Sequence, residues 1–334
     1  FVEAVPLTDA TLMVNTSRAT NGRIGISLAL PVGKTMSTGI SRILTLRFIP
    51  VGGANDAITK IAFGDQVVKG EVVDTLANTL PGTAFAEGTV LVAGHAVANV
   101  SAADYSGPVL AVESIVAAFG TELAIATDEA RGLPLPNVLA GTTVRVKDSQ
   151  GDERIAPLFF VSPAQVNYQI PAGTAEGIAT VTIINADGLI SLGLIQVAAS
   201  KPGLFSADAG GSGLAAGYVV RTKLDGLQSF EPISRFDVVS NQFALLPIDL
   251  GSESEQVTLA MFGVGIRNRK SLAEVKVFIG DLECLAEYAG AQGTFVGLDQ
   301  INVRLPRVLA GQGEVNVRVS VEGYLANTVK IHVR

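Results

Sequence analysis

The sequence predicts an all-β protein of tandem β-sandwiches. Three observations predict it: apolar residues alternating with a period of two, turn signals between the alternating runs, and one strand sequence that occurs twice with matching flanks. In a sheet with one buried and one wet face, successive side chains point to opposite sides, so every second residue is apolar. Ile24, Ile26, Leu28 and Leu30 share one such face, and Leu44, Leu46 and Phe48 share another. Val144 and Val146 alternate with Arg145 and Lys147. Val315, Val317, Val319 and Val321 form a long face, and Val329, Ile331 and Val333 form the last. Asn21-Gly22, Gly151-Asp152, Asp187-Gly188, Asp225-Gly226 and Glu322-Gly323 fall at the ends of such runs. Asn-Gly and Asp-Gly accept the positive φ that tight hairpins need. The stretch ESIVAAFGTELA, from Glu113 to Ala124, has helical propensity but is short and interrupted by Gly120, so helix and strand both stay open there. No long amphipathic helix pattern occurs, which is why the class is all-β.

The doubled strand is PAQVNYQIP, Pro163 to Pro171, and LDQINVRLP, Leu298 to Pro306. Upstream, SIVAAFGTEL resembles VTLAMFGVGI and TTVRV resembles AEVKV; downstream, GIATVTI resembles GEVNVRV. Four matching features in the same order imply two copies of one sandwich. Within the kernel, Val166, Tyr168 and Ile170 take one face and Gln165, Asn167 and Gln169 the other. In the second copy Ile301, Val303 and Leu305 oppose Gln300, Asn302 and Arg304. Pro171 and Pro306 cannot donate to a ladder and end the strand. The Gln and Asn amides, which both donate and accept, are expected to bridge to a loop backbone. The kernel is thus read as architecture. Between the copies, Ala209 to Gly213 reads as a flexible hinge, and Arg221 to Leu250, with Phe230, Phe236 and Phe243, as a structured insertion packed on the second copy.

Residues 1–95 lie outside the repeat, with strands expected near 23–30, 42–49, 58–63 and 89–93, too few for a closed sandwich. The division expected is therefore 1–95, 96–205 and 206–334.

Of 334 residues, 48% are apolar and 16% charged, enough for real cores. The net charge of −7 is scattered, with no Lys or Arg block to meet a nucleic-acid backbone. No run of about 18 apolar residues exists, so membrane insertion by a helix is not expected. Cys284 is the single cysteine, so no disulfide can form within the chain. The first residue is Phe1, which reads as a processed or truncated start. Low charge, absent Trp and abundant Thr, Asn and Gly point to the extracellular side.

Candidate chemistry is sparse. His95 and His332 fall in different expected domains, and no nucleophile elbow accompanies them or Cys284, so a hydrolytic triad is not expected. Gly33-Lys34-Thr35 lacks the preceding glycine of a phosphate loop, since Leu28 stands there, and reads as a turn. The GGSGLAAG stretch lacks the strand–turn–helix setting of a dinucleotide loop. Asp148 and Asp152 flank a glycine turn that could hold Ca²⁺ weakly, against the plainer reading as a hairpin tip. Cys284 reads as a small core residue. No catalytic, cofactor or metal residue is assigned, and no cofactor and no enzymatic activity are expected.

The stretches VESIVAAFG, LPLPNVLAGTTVRVKD, ERIAPLFFVSPAQVNYQIPAGTAEGIATVTI, KPGLFSA, SFEPISRFD, PIDLG, FGVGIR and GTFVGLDQINVRLPRVLAGQGEVNVRV resemble an uncharacterised C-terminal β-domain family of large secreted proteins of Solibacter-type soil bacteria. The resemblance covers about residues 96–334. It implies tandem Ig-like, TIG-type sandwiches, no known activity and no catalytic residues to carry over. LMVNTSRATNGRIGISLALPVGKTMSTGISRILTLRF is similar to the second half of a cohesin-like sandwich, a shorter and less specific match. The fold class expected is all-β: tandem Ig-like β-sandwiches preceded by an incomplete cohesin-like β-sandwich. A sandwich lacking strands exposes unpaired edges, which a neighbouring chain can fill by strand addition. The function expected is an extracellular structural or surface protein, a filament subunit assembling head to tail with itself. The alternative is a secreted adhesion or carbohydrate-binding module with a glycan partner, for which absent Trp and only five Tyr make a poor aromatic platform. A further alternative is a non-catalytic accessory region of a larger secreted protein.

Overall fold

The computed structural model describes residues 3–6, 10–35, 43–48 and 57–334. Among them the regular elements are β-strands and short 3₁₀ turns. The chain divides into two compact units, Phe1–Gly94 and His95–Arg334.

The first unit holds β1 (Glu3–Pro6), β2 (Thr11–Asn15), β3 (Gly25–Ala29), β4 (Leu44–Arg47), β5 (Ala57–Ile61) and β6 (Gly88–Val92). They pair antiparallel as β1 with β4, β2 with β3, and β5 with β6, each a separate two-stranded sheet. The strands expected near 23–30, 58–63 and 89–93 form with trimmed ends. The one expected at 42–49 lies partly outside the described residues. Gly33 has φ of 79° and Lys34 donates its amide to Pro31, a turn as read from the sequence. Ala10 is buried, whereas Met13, Val32, Phe63 and Leu76 are exposed.

The second unit begins with ten strands: β7 (Ala98–Ser101), β8 (Val109–Ala111), β9 (Ile115–Phe119), β10 (Asp128–Glu129), β11 (Thr143–Lys147), β12 (Glu153–Ile155), β13 (Leu158–Val161), β14 (Gln165–Gln169), β15 (Gly177–Ile184) and β16 (Ile190–Ala198). One sheet has the order β10-β13-β14-β9-β7 and the other β12-β11-β15-β16-β8. The stretch left open between helix and strand is β9. Its Val116 and Ala118 pack inward, and tertiary pairing with β14 outweighs local helical propensity. Val116, Val166 and Tyr168 from one sheet meet Val144, Val181 and Ile195 from the other in a single core. That shared core makes the two sheets a sandwich.

Next come β17 (Gly203–Leu204), β18 (Gly213–Leu214), β19 (Gly217–Thr222), β20 (Gln228–Pro232), β21 (Ser234–Asp237), β22 (Gln242–Leu245), β23 (Gln256–Val264), β24 (Val275–Ile279), β25 (Leu282–Cys284), β26 (Ala286–Ala291), β27 (Asp299–Arg304), β28 (Gly313–Val321), β29 (Tyr324–Leu325) and β30 (Val329–Val333). One sheet runs β20-β19-β23-β27-β26, with β17 also paired to β23; the other runs β18-β30-β28-β24-β25, with β29 on β28. Leu259, Ile301 and Val303 meet Val277, Val317 and Ile331 in a second core. The kernel's inward residues are buried in both copies, with Val166, Tyr168, Ile170, Ile301 and Val303 at 0% exposure. The expected insertion is structured: β20 extends the sheet, and Ile233, Ile248 and Leu250 join the core.

The hinge expected at Ala209 to Gly213 is corrected. The Gly211 amide donates to the Ser206 hydroxyl oxygen at 3.0 Å, and Asn327 Nδ2 donates to the Gly211 carbonyl at 3.0 Å. β18 pairs in parallel with β30. Gly211 and Gly213 serve φ of 76° and 93°, so glycine meets a conformational need in a pinned turn.

The connection between the sandwiches is closely packed. The Lys201 amide donates to the Gly265 carbonyl at 3.0 Å, and β17 pairs with the end of β23. Tyr105 donates to the Ala209 carbonyl at 3.0 Å, and Asn268 Nδ2 donates to the Val112 carbonyl at 3.2 Å. Gly297 sits against Ile115, where an added Cβ would fall 2.6 Å from the isoleucine side chain.

Candidate functional site

The candidate site is the outer face of the kernel sheet, present once in each sandwich. In both copies the kernel pairs with the same neighbouring strand in the same register. Gln165 lies opposite Phe119 and Asn167 opposite Ala117; Gln300 lies opposite Phe262 and Asn302 opposite Ala260. The strand pairs therefore match residue for residue, as the sequence repeat requires.

The amides do something simpler than the bridge to a loop expected for them. Gln165 Nε2 donates to Asn167 Oδ1 at 2.8 Å, and Gln300 Nε2 donates to Asn302 Oδ1 at 2.7 Å. Each pair forms a rung along its own strand, because residues two apart on a strand share a face. Gln169 alone makes the expected link, from Nε2 to the Glu113 carbonyl at 3.0 Å.

The two faces differ in what surrounds this rung. In the second sandwich the register continues across the sheet as Tyr218, Ala260, Asn302 and Tyr288. Tyr218 lies between Phe230 and Phe262, at ring-centroid distances of 5.6 and 5.8 Å. In the first sandwich the equivalent row is Glu129, Phe160, Asn167, Ala117 and Val100, so valine stands where the second copy has Tyr218. Two of the five tyrosines thus lie on one face, three strands apart, which composition alone does not show. The sequence held part of this signal: Phe119 and Phe262 occupy outward positions in the matched strands. Tyr218 and Tyr288 come from unmatched segments, and only sheet order places them.

At the start of β27, Asp299 has 0% exposure. Its Oδ2 accepts the Ile266 amide at 2.7 Å and the Arg267 amide at 3.2 Å, while Arg267 Nε donates to Oδ1 at 2.7 Å. Burial pushes this carboxyl upward, opposed by those donors. The group ties the 265–268 turn, which reaches the first sandwich through Asn268, to the kernel strand.

The residues weighed for chemistry fall apart in space. His95 stands against β16, its carbonyl accepting the Leu192 amide. His332, on β30, pairs in register with Glu314 on β28. Cys284 is buried in the second core, and burial pushes its thiol upward. Asp148 accepts the Gln150, Asp152 and Ala175 amides and the Arg154 guanidinium, as a hairpin tip requires; the amides, Ala175 first, hold its carboxyl below the usual range.

Fold and faces define a class: an all-β protein with tandem two-sheet β-sandwiches. No protein-family description matches the chain, and no curated protein sequence matches it either. Among solved structures it is similar to the Bacteroides ovatus mixed-linkage glucan utilization locus SGBP-B in complex with a mixed-linkage heptasaccharide, at 12% identity and a TM-score of 0.30. That match covers 99% of this chain but 63% of the other. It is also similar to tandem immunoglobulin domains of titin, at 12% identity and a TM-score of 0.22, covering 68% of this chain and 91% of that one. Domains 5-6 of the S-layer protein SbsC match at 12% identity and a TM-score of 0.24, covering 71% and 95%. None of these likenesses assigns a function.

Proposed function

We propose that the chain is a non-catalytic structural or surface protein of the extracellular side. In this reading the paired sandwiches are a stiff spacer and the first unit is an assembly module. The observation that carries it is the contrast in burial. The second unit holds two sealed cores joined by a close-packed connection. The described strands of the first form two-stranded sheets, with Val32 at 105% exposure, Leu76 at 80% and Met13 at 67%. A two-stranded sheet is marginal in water, and its open edges and apolar side chains are templates for a strand from a second copy. Head-to-tail contacts of that kind build a filament.

The test is negative-stain electron microscopy with light scattering on the purified chain at neutral pH over a concentration series. Rods or mass growing with concentration are expected. Dispersed monomers at every concentration, with residues 1–94 resisting protease, overturn the reading. Among the described residues no helix is long and apolar enough to cross a membrane.

A further inference from the structure

The outer face of the second kernel sheet has three features that a merely solvated face does not need. The first is an aromatic strip. Phe230, Tyr218 and Phe262 sit on β20, β19 and β23, adjacent strands, with rings in contact and Phe230 67% exposed.

The second is Tyr288 on β26, across the rung from that strip. Its hydroxyl donates to the carbonyl of Ala291 on the same strand. A Cβ on Gly290 would come within 3.1 Å of that hydroxyl oxygen, so glycine lets the ring lie down along the strand. Tyr288 is 40% exposed.

The third is the polar group between them. The Gln300–Asn302 bond leaves Gln300 Oε1 as an acceptor and Asn302 Nδ2 as a donor, with no further partner among the described residues. Arg304 Nε pairs with Glu287 at 2.8 Å, and Arg269 adds one cation beside Tyr288, its Nη1 3.4 Å from where a Cβ on Gly290 would sit.

A pyranose ring presents an apolar C–H face and hydroxyls that both donate and accept. Flat aromatic rings and amides are the groups that match it. Tyr218 and Tyr288 are separated by three inter-strand steps of about 4.8 Å, a span on the order of 14 Å that suits several linked sugars more than one. A protein partner would favour a continuous apolar patch, whereas here amides interrupt it; an acidic ligand would favour a cluster of cations, whereas here Arg269 stands alone and Arg304 is paired.

We propose that this face binds an extended neutral polysaccharide. One sugar stacks on Tyr288 and another on the Tyr218–Phe230 strip, and hydroxyls between them pair with Gln300 and Asn302. The inference is independent of whether the chain assembles.

The experiment is affinity electrophoresis of the whole chain in native gels cast with soluble β-glucan, xylan, galactomannan or dextran. At least one is expected to retard it, with Tyr288→Ala and Phe230→Ala each weakening the retardation on the order of fivefold to tenfold. Phe119→Ala, on the first sandwich, is expected to leave it unchanged. Thermal melts establish that each variant is folded, and Tyr288→Phe, which keeps the ring, separates stacking from hydroxyl contact. No retardation by any of the four glycans overturns the proposal, as does equal retardation of folded Tyr288→Ala. A fall in oligomeric mass in Phe230→Ala, without any glycan effect, reassigns the face to contact between copies.

Discussion

The two sandwiches share a kernel strand in one register, yet differ in how they anchor it and what they show to solvent. In the first, Tyr168 is buried in the core and donates its hydroxyl to Asn99 Oδ1, on β7 of the same sheet, at 3.1 Å. In the second, valine takes the matching inward position, and the anchor moves to the ion pair of Asp299 and Arg267 at the strand's start. Outside, one copy has Val100 and the other Tyr218 at the same place in the sheet. The inward alternation, the register and the closing proline are therefore what the fold demands. Anchors and outer residues are free to diverge, and it is in the outer residues that the binding proposal lies.

Three measurements can break or sharpen this comparison. The largest effect is expected from Asp299→Ala, which strands Arg267 and two buried amides. Loss of one partner of a buried pair costs about 3 kcal/mol or more. Urea unfolding followed by fluorescence is expected to show that loss in the second sandwich, and a loss below about 1 kcal/mol would mean water replaces the carboxylate.

A smaller effect is expected for Tyr168→Phe, which removes one buried hydrogen bond without opening a large cavity, about 1–2 kcal/mol. Chemical denaturation of the same chain reads it. If the first sandwich is unaffected, Asn99 has another partner and the anchors are not equivalent.

The smallest effect concerns pH. Glu322, in a turn of the second copy, accepts the Ser200 hydroxyl and the Lys270 amide, and the Ser200 bond holds its carboxyl below the usual range. A depressed carboxyl stabilises the fold above its unfolded value, and that contribution disappears as pH falls through the folded value. Stability is thus expected to fall on acidification below about pH 4.5, and Glu322→Gln to flatten that part of the profile. A profile identical to wild type would show that Glu322 contributes nothing to the connection.

Much of this architecture is legible in the residues. The alternation of Val166, Tyr168 and Ile170, and of Val315 through Val321, predicts which side chains are inside, because a strand's period of two maps directly onto two faces. The kernel's repetition predicts its equivalent position in both sandwiches. Turn chemistry, by contrast, misleads at Ala209 to Gly213. Glycines needed for positive φ look the same in sequence as glycines that give mobility, and only Ser206 and Asn327, distant or close in the chain, decide between them.

The candidate face is legible in part. Gln165, Asn167, Gln300 and Asn302 announce a polar outer row, and Phe119 and Phe262 flank it through matched sequence. Tyr218 and Tyr288 do not, since the matched stretches of sequence stop short of β19 and β26, and only the sheet shows Val100 and Phe160 in the equivalent places. By itself the sequence determined the all-β class, the doubled kernel and the inward residues of its strands, because periodicity is a local property of the chain. Tertiary structure alone decided that β19 and β26 flank β23 and β27, and that Gly290 lets Tyr288 lie flat. Those are contacts between residues far apart in the chain, set by strand order and close packing, and no local pattern encodes them.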